Sequence, residues 1–307
     1  MTNTLFHPTS ADALPTSRPT APKTTTHPIP SSAAADDAPA DIAALKRLER
    51  SFDKIDALTS LLADEPGYTM PPVTYAVPKS FKLSVVIPVF NEAATIRRIL
   101  ARVAALPLPI EIIVVDDCST DGTREILQRL ERSPLFTIFY KPKNEGKGAA
   151  LRTGFSLATG DVIVVQDADL EYDPRDIPPL LEPILQARAD VVFGSRFLTE
   201  TPPDRSFIHR LGNRLLTRAS NAFTGLRITD METCYKAFRR SDLQSIRIKQ
   251  KRFGFEPEIT AKLARRKLRF QEVPISYQAR SYAEGKKIGL RDLFNALYCI
   301  VRYGLCD

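Results

Sequence analysis

Alternation of apolar runs with amphipathic segments constrains the fold of this chain more than any other feature of its sequence. The pattern predicts strands near residues 83–90, 111–116, 135–140, 161–167 and 190–194. It predicts helices near residues 93–105, 121–132, 146–158 and 174–187. Apolar strands that alternate with helices favour a mostly parallel sheet covered on both faces. The sequence therefore predicts an α/β fold that begins near residue 80.

The segments on either side of this region differ from it in composition. Residues 1–40 carry seven prolines among Thr, Ser and Ala, so we expect a disordered tail that buries little apolar surface. Residues 41–66 place apolar residues at spacings of three or four, which predicts an amphipathic helix. Residues 291–307 predict a basic amphipathic helix, which either lies on an anionic membrane surface or packs against the domain. The sequence has no run of 18 apolar residues, so we expect no membrane-spanning helix.

Charge is distributed unevenly along the chain. Residues 1–200 contain 21 Lys and Arg against 26 Asp and Glu, whereas residues 201–300 contain 21 against 9. The first part is suited to a metal and the second to anions, although a solvated basic face has the same composition. A nucleic-acid-binding protein is disfavoured, because the chain has no Trp and shows no stacking signature of aromatic residues interleaved with Lys and Arg. The four cysteines show no paired spacing, which disfavours a zinc site or disulfide framework and favours a reducing cytoplasm.

Polar residues follow four of the predicted strands at the points where the strands end. They are Asn91 and Glu92, Asp116 and Asp117, Asp167 and Asp169, and Arg196. The carboxyl ends of parallel strands meet at one edge of a sheet, so we expect these side chains to converge on a ligand crevice. Mg²⁺ and Mn²⁺ are hard cations that take one or two protein carboxylates and add water and phosphate oxygens. The Asp167–Ala168–Asp169 stretch therefore predicts a metal-bound diphosphate, and helix capping is the alternative.

A glycine-rich stretch, residues 144–154, follows the third predicted strand. It fits neither G-x-G-x-x-G nor G-x-x-x-x-G-K-[ST], so a Rossmann dehydrogenase and a P-loop ATPase are both disfavoured. Lys147 in this stretch either lines a nucleotide pocket or is a solvated lysine at the start of a helix.

Taken together, these motifs resemble a known family. The segments that carry the resemblance are residues 86–92, 114–123, 144–148, 167–170 and 194–197. They are similar to the inverting glycosyltransferases of family 2, and among them to the dolichyl- or polyprenyl-phosphate mannose or glucose synthases. The resemblance covers about residues 82–290. It implies a single GT-A (Rossmann-like) domain over residues 80–290, with a mostly parallel central sheet.

The resemblance also implies roles for residues at the donor site. The nucleotide would be held by Pro88, Glu92, Asp116, Asp117, Lys147, Asp167 and Ala168. Asp167 and Asp169 would bind Mg²⁺ or Mn²⁺ and the donor diphosphate, which makes Asp169 a catalytic residue. Glu171 stands where the lipid-phosphate synthases usually have Gln, and it is a candidate third metal ligand. Many bacterial members of the family continue into transmembrane helices, whereas this chain stops at Asp307.

The acceptor decides which further residues the chemistry needs. A phosphate monoester needs no general base, because its second pKa near about 6 leaves it largely a dianion at pH 7. By resemblance, Arg196, Arg205 and Arg210 would guide such a phosphate, and arginine suits it through bidentate hydrogen bonds. A hydroxyl acceptor would instead need a base. Asp230 matches the family aspartate that contacts the donor sugar, and it is the candidate for that catalytic role.

Arg280 and Lys286 lie in a stretch that resembles a mobile loop, and both would close on the donor diphosphate.

The motifs and the resemblance together predict inverting transfer of a hexose, mannose or glucose, from a GDP- or UDP-sugar to a polyprenyl or dolichyl phosphate. We expect a cytoplasmic protein that associates peripherally with the inner face of the membrane, with a membrane partner subunit as a further candidate partner. A family 2 enzyme that acts on a hydroxyl of a glycan or lipid is the alternative.

Overall fold

A computed structural model describes residues 68–131, 133, 135–198, 207–280 and 290–306 and the helical positions Glu49, Phe52 and Ile55; only the backbone is described at 207–209 and 290–292. The predicted disordered tail, residues 1–40, lies outside the described residues, and so does most of the predicted helix 41–66. All the elements below belong to the compact unit of residues 43–307.

The described strands and helices alternate up to residue 195. The strands are β1 (Leu83–Val89), β2 (Ile110–Asp116), β3 (Phe136–Tyr140), β4 (Val162–Val165), β5 (Val191–Ser195), β6 (Lys236–Arg239) and β7 (Phe270–Pro274). The helices are α1 (Ile96–Ala104), α2 (Thr123–Gln128), α3 (Lys147–Leu157), α4 (Ile177–Leu185), α5 (Phe207–Thr224), α6 (Arg240–Gln244), α7 (Phe255–Arg265) and α8 (Leu290–Leu305). A single 3₁₀ turn, Pro174–Asp176, precedes α4.

Within the described residues, these strands form one sheet of seven in the order β3-β2-β1-β4-β6-β5-β7. Strand β6 pairs antiparallel with β4 and β5, and every other neighbouring pair is parallel. The predicted mostly parallel α/β sheet is therefore confirmed. β6 separates β4 from β5, an arrangement that the pattern up to residue 195 does not reveal.

Both faces of the sheet are covered, as the apolar composition of its strands predicts. Val85 and Ile87 of β1 belong to the cluster that includes α1, whereas Val86 belongs to the cluster that includes α3. Helix α3 approaches β1 closely at Gly154, where an added Cβ would lie 2.3 Å from Cγ1 of Val86. This close packing sets the start of α3 beside the carboxyl ends of β1 and β2.

The helices are shorter than the sequence pattern predicts. Helix α2 begins only at Thr123, whose backbone N–H and hydroxyl both donate to Oδ1 of Asp121. The residue before it, Gly122, has a φ of +99°, a conformation that favours glycine.

Along the part of the chain that the structure describes, no helix combines the length and apolar character that crossing a membrane requires.

Candidate active site

A cavity of about 580 Å³ opens at the carboxyl ends of the parallel strands. Residues that follow four different strands line it: Glu92 after β1, Asp117 after β2, Asp167 and Asp169 after β4, and Arg196 after β5. The expected convergence of polar strand ends is therefore observed. Pro88, Ala168 and Lys147 line the same cavity.

Asp117 organises the loop that closes one side of the cavity. Its carboxylate accepts hydrogen bonds from the backbone N–H of Glu145 at 3.0 Å and of Gly146 at 2.6 Å. Nζ of Lys141 lies 3.2 Å from Oδ1 of the same carboxylate. Gly146 has a φ of +96°, and an added Cβ there would meet the backbone oxygen of Lys251 at 2.6 Å. Only glycine fits this position, so the loop holds its shape against the 251–252 segment.

Asp116 lies beneath this wall rather than in it. It is fully buried and is not among the residues that line the cavity. Its Oδ2 accepts from Nε of Arg124 at 2.8 Å, and its Oδ1 accepts from the backbone N–H of Ser119 at 3.2 Å. Asp116 thus orders the turn that follows Asp117, and its predicted contact with the nucleotide stays a prediction.

Asp167 and Asp169 face two cationic side chains. Nζ of Lys147 lies 2.8 Å from Oδ1 of Asp167, and Nη2 of Arg280 lies 2.8 Å from Oδ2 of Asp169. Burial, followed by the charges of Asp167 and Glu171, raises the pKa of Asp169 above its ordinary value. A carboxylate that is desolvated next to other carboxylates favours a cation beside it.

This donor set fits a divalent cation that shares its shell with phosphate. Two carboxylate oxygens at a cavity wall match the one or two protein ligands that Mg²⁺ usually takes. Among the residues with described side chains, no group of three His, Cys, Asp or Glu forms a ready metal cage. Both oxygens of Glu171 accept hydrogen bonds, from the Tyr277 hydroxyl and the Arg280 backbone N–H. Glu171 therefore positions Arg280. Each carboxylate oxygen keeps a second lone pair, so the role of Glu171 as a third metal ligand stays a prediction.

Arg196 and Asp230 form a buried bidentate pair. Nε and Nη2 of Arg196 donate to the two Asp230 oxygens at 2.6 and 2.7 Å, and Nδ2 of Asn213 donates to Oδ1 at 3.1 Å. Complete burial alone would raise the pKa of Asp230, but the Arg196 guanidinium holds it below its ordinary value. Asp230 is fully buried and absent from the cavity wall, whereas Arg196 lines it. Asp230 thus holds Arg196 in place, and its lowered pKa is unsuited to the predicted role as a base.

Four further residues were predicted to bind anions, and the structure describes two of them, Arg210 and Arg280. Arg205 and Lys286 lie outside the described residues. Arg210 lies in the first turn of α5 and does not line the cavity. Arg280 lines the cavity and contacts Glu92, Asp169 and Glu171.

The cavity is also lined by residues that the sequence did not mark as site residues, among them Glu232, Glu256 and Tyr277. Tyr277 lies under the Arg196 guanidinium, 5.2 Å from ring centroid to Cζ. The only sequence signal for Glu232 is its place in the segment that also holds Asp230. Residues 253–259 predict the start of a helix that either lies near an acceptor channel or packs in the core, and this pattern does not single out Glu256. Nothing in the sequence pattern shows that Glu232 and Glu256 line one cavity.

Comparisons with known proteins agree with this geometry. Residues 84–247 match the sequence profile of Glycosyl transferase family 2. The undecaprenyl-phosphate 4-deoxy-4-formamido-L-arabinose transferase of Aeromonas hydrophila is 32% identical over 226 residues, 71% of this chain and 66% of that protein. The undecaprenyl-phosphate mannosyltransferase of Micrococcus luteus is 31% identical over 231 residues, 72% of this chain and 93% of that protein. The chain thus spans just under two thirds of the first relative's length and nearly all of the second's.

A solved structure supports the fold. Glucosyl-3-phosphoglycerate synthase from Mycobacterium tuberculosis in complex with UDP has a TM-score of 0.60 and 22% identity, over 79% of this chain and 87% of that chain. The same protein in complex with Mn²⁺, UDP and glucosyl-3-phosphoglycerate has a TM-score of 0.54 and 22% identity, over 69% of this chain and 81% of that chain. The predicted GT-A fold is confirmed. The chain is a glycosyltransferase and belongs to glycosyltransferase family 2.

Proposed function

We propose that this enzyme transfers a hexose from a nucleotide-sugar to a polyprenyl phosphate, with inversion at the anomeric carbon. The observation that carries the proposal is the similarity to a mannosyltransferase that acts on undecaprenyl phosphate, since the chain spans 93% of that protein. The two curated relatives transfer different sugars by name. Mannose and glucose remain our candidates for the sugar, and GDP and UDP for the nucleotide.

The cavity supports a nucleotide-sugar donor. Glu92 and Asp117 line it together with Pro88, and the loop held by Asp117 closes one side. Asp167 and Asp169 would hold Mg²⁺ or Mn²⁺, a charge that stabilises the diphosphate leaving group. Lys147 and Arg280 supply further positive charge at the same carboxylates, and they would orient the diphosphate oxygens.

The buried Asp230 favours a phosphate acceptor over a hydroxyl acceptor. Transfer to a phosphate forms a bond from a phosphate oxygen to the anomeric carbon as the bond to the nucleoside diphosphate breaks. The phosphate dianion supplies the electron pair, so no proton must be removed. A hydroxyl would need a base, and Asp230 is held by Arg196 at 2.6 Å with a lowered pKa. Arg196 lines the cavity and is our candidate to attract the acceptor phosphate.

An apolar surface on two neighbouring helices supports action at a membrane. Large apolar side chains are exposed on α5 at Leu211, Leu215 and Phe223, and on α8 at Leu293, Phe294, Leu297, Tyr298, Val301 and Leu305. The helices touch where Gly304 packs on Phe223. Exposed Arg214, Arg218 and Arg302 lie on the same helices. Apolar side chains with arginines among them fit an anionic lipid surface, where a polyprenyl phosphate acceptor resides.

The proposal is tested by an acceptor screen with labelled GDP-mannose and UDP-glucose in the presence of Mn²⁺. Polyprenyl phosphate in anionic vesicles is compared with polyprenol and with oligosaccharides. We expect transfer to the phosphate alone, and we expect Asp169→Ala to abolish it. Asp161→Ala is the matched control, because Asp161 is exposed and precedes β4, at the opposite edge of the sheet. Equal transfer to polyprenol, or full activity of Asp169→Ala, would contradict the proposal.

A further inference from the structure

One part of the cavity wall carries two carboxylates that the roles above leave unexplained. Glu232 precedes β6, and Glu256 lies in the first turn of α7. Both line the cavity, and Glu256 is only 3% exposed. They come from segments far along the chain from Asp167 and Asp169, and the proposal above gives neither of them a role.

Each of these side chains has one buried oxygen that lacks a hydrogen-bond partner within the described part of the chain. The atoms are Oε1 of Glu232 and Oε2 of Glu256. Burying a polar atom without a partner is costly, and such atoms in native proteins usually meet a ligand or an ordered water. Because a carboxylate oxygen accepts hydrogen bonds, the two atoms point to a ligand that donates them.

The position of Glu256 relates this wall to the diphosphate site. Its Oε1 lies 3.6 Å from Nζ of Lys147, and the same Nζ lies 2.8 Å from Asp167. A group attached to a diphosphate at Asp167 and Lys147 would therefore lie next to Glu256. With the nucleoside at Pro88, Glu92 and Asp117, as proposed above, the group on the other side of the diphosphate is the sugar.

The negative charge of Glu232 and Glu256 limits which sugars this part of the cavity can bind. Burial, followed by the charge of Glu256, raises the pKa of Glu232, as expected for two carboxyl groups that share one site. Sugar hydroxyls donate to carboxylates through charge-assisted hydrogen bonds. A uronic acid would bring a further carboxylate against the negative charge that the pair retains, and like charges repel.

We propose that Glu232 and Glu256 bind hydroxyl groups of the transferred sugar and select a neutral sugar over a uronic acid. The inference rests on the proposed function, because it requires a nucleotide-sugar in the cavity. It assigns donor selection to these two residues rather than to Asp230, which is buried outside the cavity.

The test is calorimetric binding of matched donors to the full chain with Mn²⁺. UDP-glucose, UDP-glucuronate and UDP form one set, and GDP-mannose, GDP-mannuronate and GDP form the other. We expect the wild type to bind the neutral sugar of one set about tenfold or more tightly than its uronate. The double variant Glu232→Gln/Glu256→Gln should reduce this preference about tenfold. The affinity for the nucleoside diphosphate is the reference, because a change that acts through Lys147 alters neutral sugar and uronate alike.

Glu258→Gln is the matched control. Glu258 lies on the same helix and is fully buried, and it pairs with Lys262 at 2.7 Å without lining the cavity. This variant should lose stability and keep the wild-type ratio between neutral sugar and uronate. A general folding defect lowers all affinities together, so it cannot imitate a change in the ratio.

Two results would overturn the inference alone: a wild type that binds uronate as tightly as the neutral sugar, or a double variant with an unchanged ratio. A wild type that binds none of the six nucleotides would instead refute the proposed function, and this inference with it.

Discussion

Arg280 donates from Nη2 to Oδ2 of Asp169 over 2.8 Å, and from Nη1 to both oxygens of Glu92 at 3.2 and 3.3 Å. The side chain thus connects the residue that follows β1 with the residue that follows β4. The guanidinium contacts the carboxylate that we propose as a metal ligand, so a divalent metal at Asp169 would compete with it for the same negative charge.

The first prediction concerns Arg280→Ala. Removing this positive charge should tighten Mn²⁺ binding to the nucleotide-free protein by about fivefold or more, a factor that corresponds to about 1 kcal/mol. Sugar transfer should fall at the same time, because the diphosphate loses a cationic partner. Metal titration and transfer rates measure the two effects. Arg188→Ala, at an exposed pair with Glu182, should change neither quantity. Unchanged Mn²⁺ affinity in Arg280→Ala would show that the guanidinium does not compete with the metal.

The second prediction concerns the buried pair of Arg196 and Asp230. Asp230→Asn leaves the Arg196 guanidinium buried without its ionic partner, which should lower the free energy of unfolding by about 3–5 kcal/mol. Urea unfolding measures the change. If the variant keeps wild-type stability and loses only transfer, Asp230 acts on the substrate and our positioning role for it is wrong.

The third prediction concerns Arg210 in the first turn of α5. If this side chain guides the acceptor phosphate, Arg210→Ala removes a charge-assisted contact worth about 1.5–3 kcal/mol. The apparent affinity for polyprenyl phosphate should fall tenfold or more by the same estimate, while donor affinity stays constant. Arg227→Ala, at an exposed position after α5, is the control. Loss of donor affinity in Arg210→Ala would assign this arginine to the other substrate.

The fourth prediction is a pH dependence of stability at Glu111. Burial alone would raise the pKa of this residue, but hydrogen bonds from Lys82, Ser84 and Thr159 lower it to about 2 from 4.5. The folded state therefore holds the ionised form more strongly than the unfolded state does. Its contribution is complete above about pH 4.5 and is lost as the pH falls toward 2.

Glu111→Gln measures this contribution. At pH 6 the variant should be less stable than the wild type by about 1–2 kcal/mol, a value reduced by solvent screening. The difference should shrink between pH 5 and pH 3. Glu182→Gln, at a largely exposed pair, should show no such trend. A difference that stays constant with pH would mean that the Glu111 hydrogen bonds stabilise through their geometry rather than through its charge.

The sequence by itself determined the α/β class, the family and the convergence of the strand ends. The reason is local: apolar runs with helices between them force a parallel sheet, and parallel strands end at one edge. The strand-end pattern and the family resemblance together place Pro88, Glu92, Asp117, Asp167 and Asp169 at one crevice.

Only the tertiary structure decided which of the other polar residues face that cavity. Asp116 and Asp117 are neighbours in the chain, yet one is held beneath the wall by Arg124 and the other supports the loop at the cavity. Likewise, the structure buries Asp230 against Arg196 while Glu232, two residues later, lines the cavity. The directions of Asp230 and Glu232 depend on the antiparallel insertion of β6 between β4 and β5, and Asp117 accepts from backbone N–H groups 28 and 29 residues away. These are contacts between residues far apart in the chain, so no local pattern carries them.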